Sequence, residues 1–176
     1  MARQQKQAAG ESIAAAAPPK SLFERVAGYL DANDWNYTAD EEKGYFSASC
    51  RLKDGSVRII LDVAEAEDWR RVLVYSTFPV YVPQQRRAAA VEGIARINYT
   101  MIYGNLEIDL ADGEVRVRTV VEAVEPLGDA MIERALGANL DIAGRYYAAL
   151  LAVAFGGASP ESVLELAAPR EAATVQ

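Results

Sequence analysis

The 176-residue sequence predicts an α+β domain, an antiparallel sheet of about five strands with helices packed on one side. Three observations lead there. Apolar residues recur near helical spacing as far as Ala32, and from Tyr37 the period drops to two, the mark of strands with one face buried. Asp54-Gly55 and Asp112-Gly113 each stand between alternating segments, where two-residue hairpin turns belong. A long apolar stretch then ends at Gly156-Gly157, a glycine stop for a helix.

The elements follow in order. Residues 1–19 are rich in Ala and Gln and end in Pro18-Pro19, a composition that cannot offset the entropy of ordering, so they are expected to be a flexible tail. The domain is expected over residues 20–167, with a second tail at 168–176. Ser21 and Glu24 form a capping-box pattern ahead of Leu22, Val26, Tyr29 and Leu30, which predicts a helix to about Ala32. A short strand is expected at Tyr37–Ala39. Closing the next hairpin over Asp54-Gly55 sets Leu52 opposite Val57, Cys50 opposite Ile59, Ala48 opposite Leu61 and Phe46 opposite Val63, every pair apolar. Ser47, Ser49, Arg51, Arg58 and Asp62 fall on the other face. A further strand is predicted over Val72–Phe78, stopped by Pro79 and Pro83.

Arg86–Tyr103 reads as a helix with Val91, Ile94, Ile97 or Asn98, and Met101 along one face, and Gly104 as its left-handed stop. In the second hairpin, a turn at Asp112-Gly113 sets Leu110 opposite Val115 and Ile108 opposite Val117. The same register puts Asp109 opposite Arg116 and Glu107 opposite Arg118. Leu127–Phe155 is the last large element, with a kink or break expected near Gly137 and a restart at Ser159-Pro160-Glu161. Between Tyr146 and Phe155 it is apolar all round, so more than one side must be covered. One layer of helices does not obviously do this, and a second subunit is the natural cover.

Composition narrows the chemistry. There is no histidine, so no imidazole base or metal ligand, and the single Cys50 permits neither an intrachain disulfide nor a multi-thiolate zinc site. A net charge of −7 disfavours a phosphate backbone, the arginine pairs Arg70-Arg71 and Arg86-Arg87 being the local exceptions, so nucleic acid is not an expected partner. Neither a signal peptide nor a membrane span is expected, which makes a cytoplasmic location the simplest reading. The acidic loops Asp40-Glu41-Glu42 and Glu65-Ala66-Glu67-Asp68 lack calcium-loop spacing, and no cofactor motif is present. The alternative to a binding protein is a small carboxylate- or metal-dependent enzyme using Asp62, Glu107 or Asp109.

Several segments resemble the YbjN family of bacterial proteins: Val82-Pro83-Gln84-Gln85-Arg86-Arg87, Ile94-Ala95-Arg96-Ile97-Asn98, Gly104 to Asp109, Asp112 to Thr119, and Tyr146-Tyr147-Ala148-Ala149-Leu150 through Phe155-Gly156. The resemblance spans roughly residues 21–166. It implies a fold similar to type III secretion chaperones, a class that commonly forms homodimers and holds extended segments of a client protein, and a family described as candidate sensory transduction regulators. It carries no catalytic residue. By that analogy the dimer seam involves the helix holding Ala89, Ile94, Ile97 and Met101. The residue pattern alone selects Tyr146, Tyr147, Leu150 and Leu151 instead. The expected function is a non-enzymatic chaperone-like or regulatory adaptor, a homodimer with an unidentified client protein, and with no cofactor.

Overall fold

A computed structural model describes residues 20–168. The tail expected at 1–19, and all but the first residue of the one at 168–176, lie outside the described residues. Helix α1 (Leu22–Ala32) opens with the expected capping box: the Ser21 hydroxyl accepts from the Glu24 N–H at 3.1 Å, and the Glu24 carboxylate accepts from the Ser21 N–H at 2.8 Å. Its buried side chains are Leu22, Val26 and Leu30.

The sheet is antiparallel and holds six strands, one more than expected: β1 (Tyr37–Asp40), β2 (Tyr45–Arg51), β3 (Ser56–Glu65), β4 (Arg70–Tyr81), β5 (Asn105–Ile108) and β6 (Glu114–Ala123), in the order β1-β2-β3-β4-β6-β5. Both hairpins keep the predicted faces and shift the predicted register by two residues. In the first, Phe46 pairs with Leu61, Ala48 with Ile59 and Cys50 with Val57, and the Leu52 N–H donates to the Gly55 carbonyl at 2.8 Å, so the strands close over Lys53-Asp54. Neither Asp54 nor Gly55 has a positive φ, which excludes the type I′ turn. Gly55 has another role: a Cβ there would stand 2.4 Å from the Tyr147 ring, so the missing side chain admits that ring.

In the second hairpin Glu107 pairs with Arg116 and Ile108 with Val115. The loop is longer than two residues. The Asp109 N–H donates to the Glu114 carbonyl at 2.9 Å, and Gly113, at φ 90°, donates to the Asp109 carbonyl at 2.8 Å. Leu110 therefore sits exposed in the loop and not on the apolar face. Strand β4 also continues past Pro79 to Tyr81, because the proline falls where pairing with β6 is interrupted, between Thr77 and Tyr81, and no ladder N–H is required of it.

Helix α2 (Arg87–Thr100) ends three residues before the expected Tyr103, although Gly104 does adopt the left-handed conformation, at φ 75°. Helix α3 (Asp129–Ala154) is one element of 26 residues with no break at Gly137. It packs on β4 and β6, while α1, α2 and a short α4 (Val163–Leu166) pack against it. Proline 160 begins a single 3-10 turn before α4, but the Ser159 side chain makes no capping bond to its backbone. With the helices on one face, the core is Phe46, Ile59, Leu61, Val72, Val74, Val117, Ile97, Ile132, Leu136 and Val153, all buried. One polar side chain enters it. Asn139 on α3 is fully buried and donates to the Val74 carbonyl at 2.8 Å and to Thr119 Oγ1 at 3.2 Å, and Thr119 donates to the Ala135 carbonyl at 2.9 Å. This pins the helix to the strand pair beneath it.

Candidate partner-docking surfaces

The apolar end of α3 is covered from within the chain. Tyr146 and Tyr147 are each 5 % exposed, and Leu150 and Val153 are buried with them. The Tyr147 ring lies 4.9 Å from that of Phe78, tilted by 51°, and α2 and α4 supply the second side. Arg86 fastens this end, donating from Nε to the Val153 carbonyl at 3.0 Å and from a terminal nitrogen to the Ala158 carbonyl at 3.0 Å. Arg87 holds the second hairpin loop through the Leu110 carbonyl at 2.7 Å and the Asp112 carbonyl at 2.8 Å. Both guanidiniums are thereby committed to backbone oxygens rather than free for phosphate.

Of the sequence-selected interface residues, Ile94, Ile97, Tyr146, Tyr147 and Leu150 lie inside the core, and Ala89, Met101 and Leu151 are half-buried against it. A side chain packed within its own chain has no surface left for a partner. The outward apolar residues of α2 are Ala88, Val91, Ala95 and Tyr99, beside the exposed Glu92, Arg96 and Thr100, with Ile102 just beyond its end. Val91, which the periodicity placed with Ile94, belongs to this outer stripe. Tyr99 is 93 % exposed and Ile102 wholly so. A groove of about 440 Å³ runs beside the stripe, lined by Glu92, Ala95, Arg96, Tyr99, Thr100, Glu161 and Leu164. Its rim is charged, with Arg96 2.7 Å from Glu92 and 3.9 Å from Glu161. The missed signal was a second apolar series, 91-95-99, running beside the buried one.

The sheet edges form the second candidate surface. Strand β5 is closed by α2: the Asn98 side chain donates to the Leu106 carbonyl at 2.9 Å and accepts from the Leu106 N–H at 2.9 Å, as a neighbouring strand would. Strand β6 runs five residues beyond Arg118, where its pairing with β5 ends, so Thr119–Ala123 has an open edge. The Val120 carbonyl there accepts from Tyr103 Oη at 2.7 Å.

The three carboxylates considered for chemistry are not brought together. Asp62 on β3 lies three strand spacings from Glu107 on β5, at least about 14 Å. Glu107 and Asp109 line one cavity of about 470 Å³. Burial pushes the Glu107 carboxyl up, but hydrogen bonds from Arg116 and Asn105 and the charge of Arg118 outweigh it and hold the group below the usual glutamate range. Among the described residues Asp109 forms no ion pair with an arginine; it accepts from the Ala111 N–H at 2.7 Å. Among the described residues, no group of three or more Cys, Asp or Glu side chains is placed to hold a metal ion, and no helix is long and apolar enough to cross a membrane. Cys50 is half-buried, and burial raises its thiol pKa, which disfavours the reactive thiolate.

Comparison with curated proteins finds no match. Among solved structures, the chain is similar to one described as "Structure of the HopA1-SchA Chaperone-Effector Complex", at 17% sequence identity and a TM-score of 0.42, covering 70% of this chain and 91% of that one. The model of the YbjN family, described as "Putative bacterial sensory transduction regulator", matches residues 22–152. That span takes in α1, the whole sheet, α2 and all but the last turn of α3, and the chain belongs to the YbjN family.

Proposed function

We propose that this protein is a non-enzymatic, chaperone-like or regulatory adaptor of the cytoplasm that works as a homodimer and holds a segment of a client protein. The regulatory part of this reading follows the family description. The observation that carries the rest is the outer stripe of α2. Laid antiparallel on a second copy about Ala95, the stripe is self-complementary: Val91 meets Tyr99, and Ala95 meets itself. Small opposes large, and a two-fold interface requires this kind of matching. The small Ala95 at the centre lets the helix backbones approach.

Light scattering at micromolar concentration tests the dimer. The expected mass is twice 19.1 kDa, and Ala95→Glu, which sets two carboxylates against each other at the centre of an exposed helix face, is expected to weaken association at least tenfold while leaving the fold intact. A strict monomer for the unmodified protein overturns the dimer.

A further inference from the structure

Most half-buried arginines of this chain are occupied. Arg70, Arg86, Arg87, Arg116 and Arg118 each hold a carbonyl or carboxylate at 3.0 Å or closer. Arg71 does not. Its side chain makes no hydrogen bond among the described residues, its Nε is buried without a partner, and its ion-pair contact is with Asp62 at 3.9 Å, beyond hydrogen-bond reach. Trp69 lies 5.5 Å beneath its guanidinium. One further carboxylate, Glu122, stands opposite Arg71 in the strand register and forms no ion pair with it among the described residues.

Arg71 lines a cavity of about 450 Å³ together with Arg118, Leu73, Val120, Ile102 and Tyr103. The cavity lies against the open edge of β6. Alternate residues of a strand direct both backbone groups to the same side. Because the Val120 carbonyl reaches Tyr103 on the outside, the N–H and carbonyl of Glu122 also face outward. An edge this short offers few backbone bonds, so affinity there has to come from side chains.

We infer that this cavity receives an extended segment of a client protein bearing a carboxylate side chain between apolar ones, with the carboxylate on Arg71. The inference rests on the adaptor reading above and names the chemistry of its partner. Charge complementarity supports the choice of occupant: an arginine lacking a good acceptor gains bidentate hydrogen bonds from a carboxylate, whereas a neutral amide returns less and an ammonium is repelled. Leu73, Val120 and the exposed Ile102 take the flanking apolar side chains, and the Glu122 backbone aligns the strand.

The probe is the capped pentapeptide Val-Thr-Glu-Thr-Val, which puts Glu and both Val side chains on one face of the strand, with its Gln and Lys counterparts, titrated against the ¹⁵N-labelled full chain and followed by amide shifts. The Glu peptide is expected to move the amides of Arg71, Val120 and Glu122 and to bind at least tenfold more tightly than the Gln peptide. Arg71→Lys is expected to remove most of that preference. Glu and Gln peptides binding the edge within twofold of each other overturns the carboxylate assignment and leaves the adaptor reading standing. No shift at the β6 edge with any of the three peptides overturns the site, while the dimer is judged separately by light scattering.

Discussion

The covered face of the sheet is filled by Phe46, Ile59, Leu61, Val72, Val74 and Val117, all buried, whereas the open face of the same strands carries Arg58, Asp62, Arg71, Tyr75, Arg116 and Arg118, none of them buried. The two faces alternate residue by residue along one backbone, yet they are held by different physics. Volume and shape decide the covered side, where each side chain has one position that fills its space. The open side is organised by charge and stacking: Glu107 bridges Arg116 at 2.8 Å and Arg118 at 3.0 Å, and Arg116 lies 4.5 Å over the Tyr75 ring. Such contacts are individually weak in solvent. The covered face therefore sets stability, and the open face contributes little to it.

Deleting volume from the covered face gives the largest effect. Phe46 is fully buried, stacked 4.3 Å from Phe23 and edge-on 5.5 Å from Tyr37, and it ties α1 to the sheet. Phe46→Ala is expected to destabilise the chain by about 3–5 kcal/mol in denaturant titration. A loss below about 1 kcal/mol would break the division between the faces. The polar side chain that α3 sends into this core comes next. Asn139→Leu keeps the approximate size but removes the donor to Val74 and Thr119. The expected cost is about 1–3 kcal/mol, the penalty of leaving buried acceptors unmet.

These faces were legible in the sequence because a period of two assigns each residue a side. The register was not, because a shift of two residues restores every side chain to its own face and keeps every pair apolar. The alternation of Phe46, Ala48 and Cys50 against Val57, Ile59 and Leu61 fits either pairing. Asp54-Gly55 pointed to a turn centred on itself, but Gly55 is small for the sake of Tyr147, a contact between residues far apart in the chain. The outer stripe of α2 was hidden for a related reason. Helix α2 is apolar on two sides, and Ile94 and Ile97 are the larger side chains, so pattern alone marks the buried stripe and passes over Val91, Ala95 and Tyr99. Which stripe faces outward is settled by Val153 and Val163, whose packing against Gly93 turns that side of the helix inward.

The smallest effect belongs to the open face and has a distinctive pH dependence. Glu107 is held ionised by its hydrogen bonds to Arg116 and Asn105 and by Arg118, against the opposing effect of burial, so its pKa in the folded chain lies below that in the unfolded chain. A group of this kind stabilises the fold above its unfolded pKa, near 4.3 for a glutamate (about that value in model peptides), and the contribution disappears as pH falls through the lower folded value. Glu107→Gln is expected to cost under about 1 kcal/mol at neutral pH, because the ion pairs are partly exposed. The gap between variant and parent should then narrow as the pH is taken below about 4, as read from urea midpoints at a series of pH values. Covered-face variants carry no titrating group, so Phe46→Ala should keep its full deficit through the same acid window. If the Glu107→Gln gap stayed constant with pH instead, the side chain would be acting through packing, and the two faces would differ only in degree.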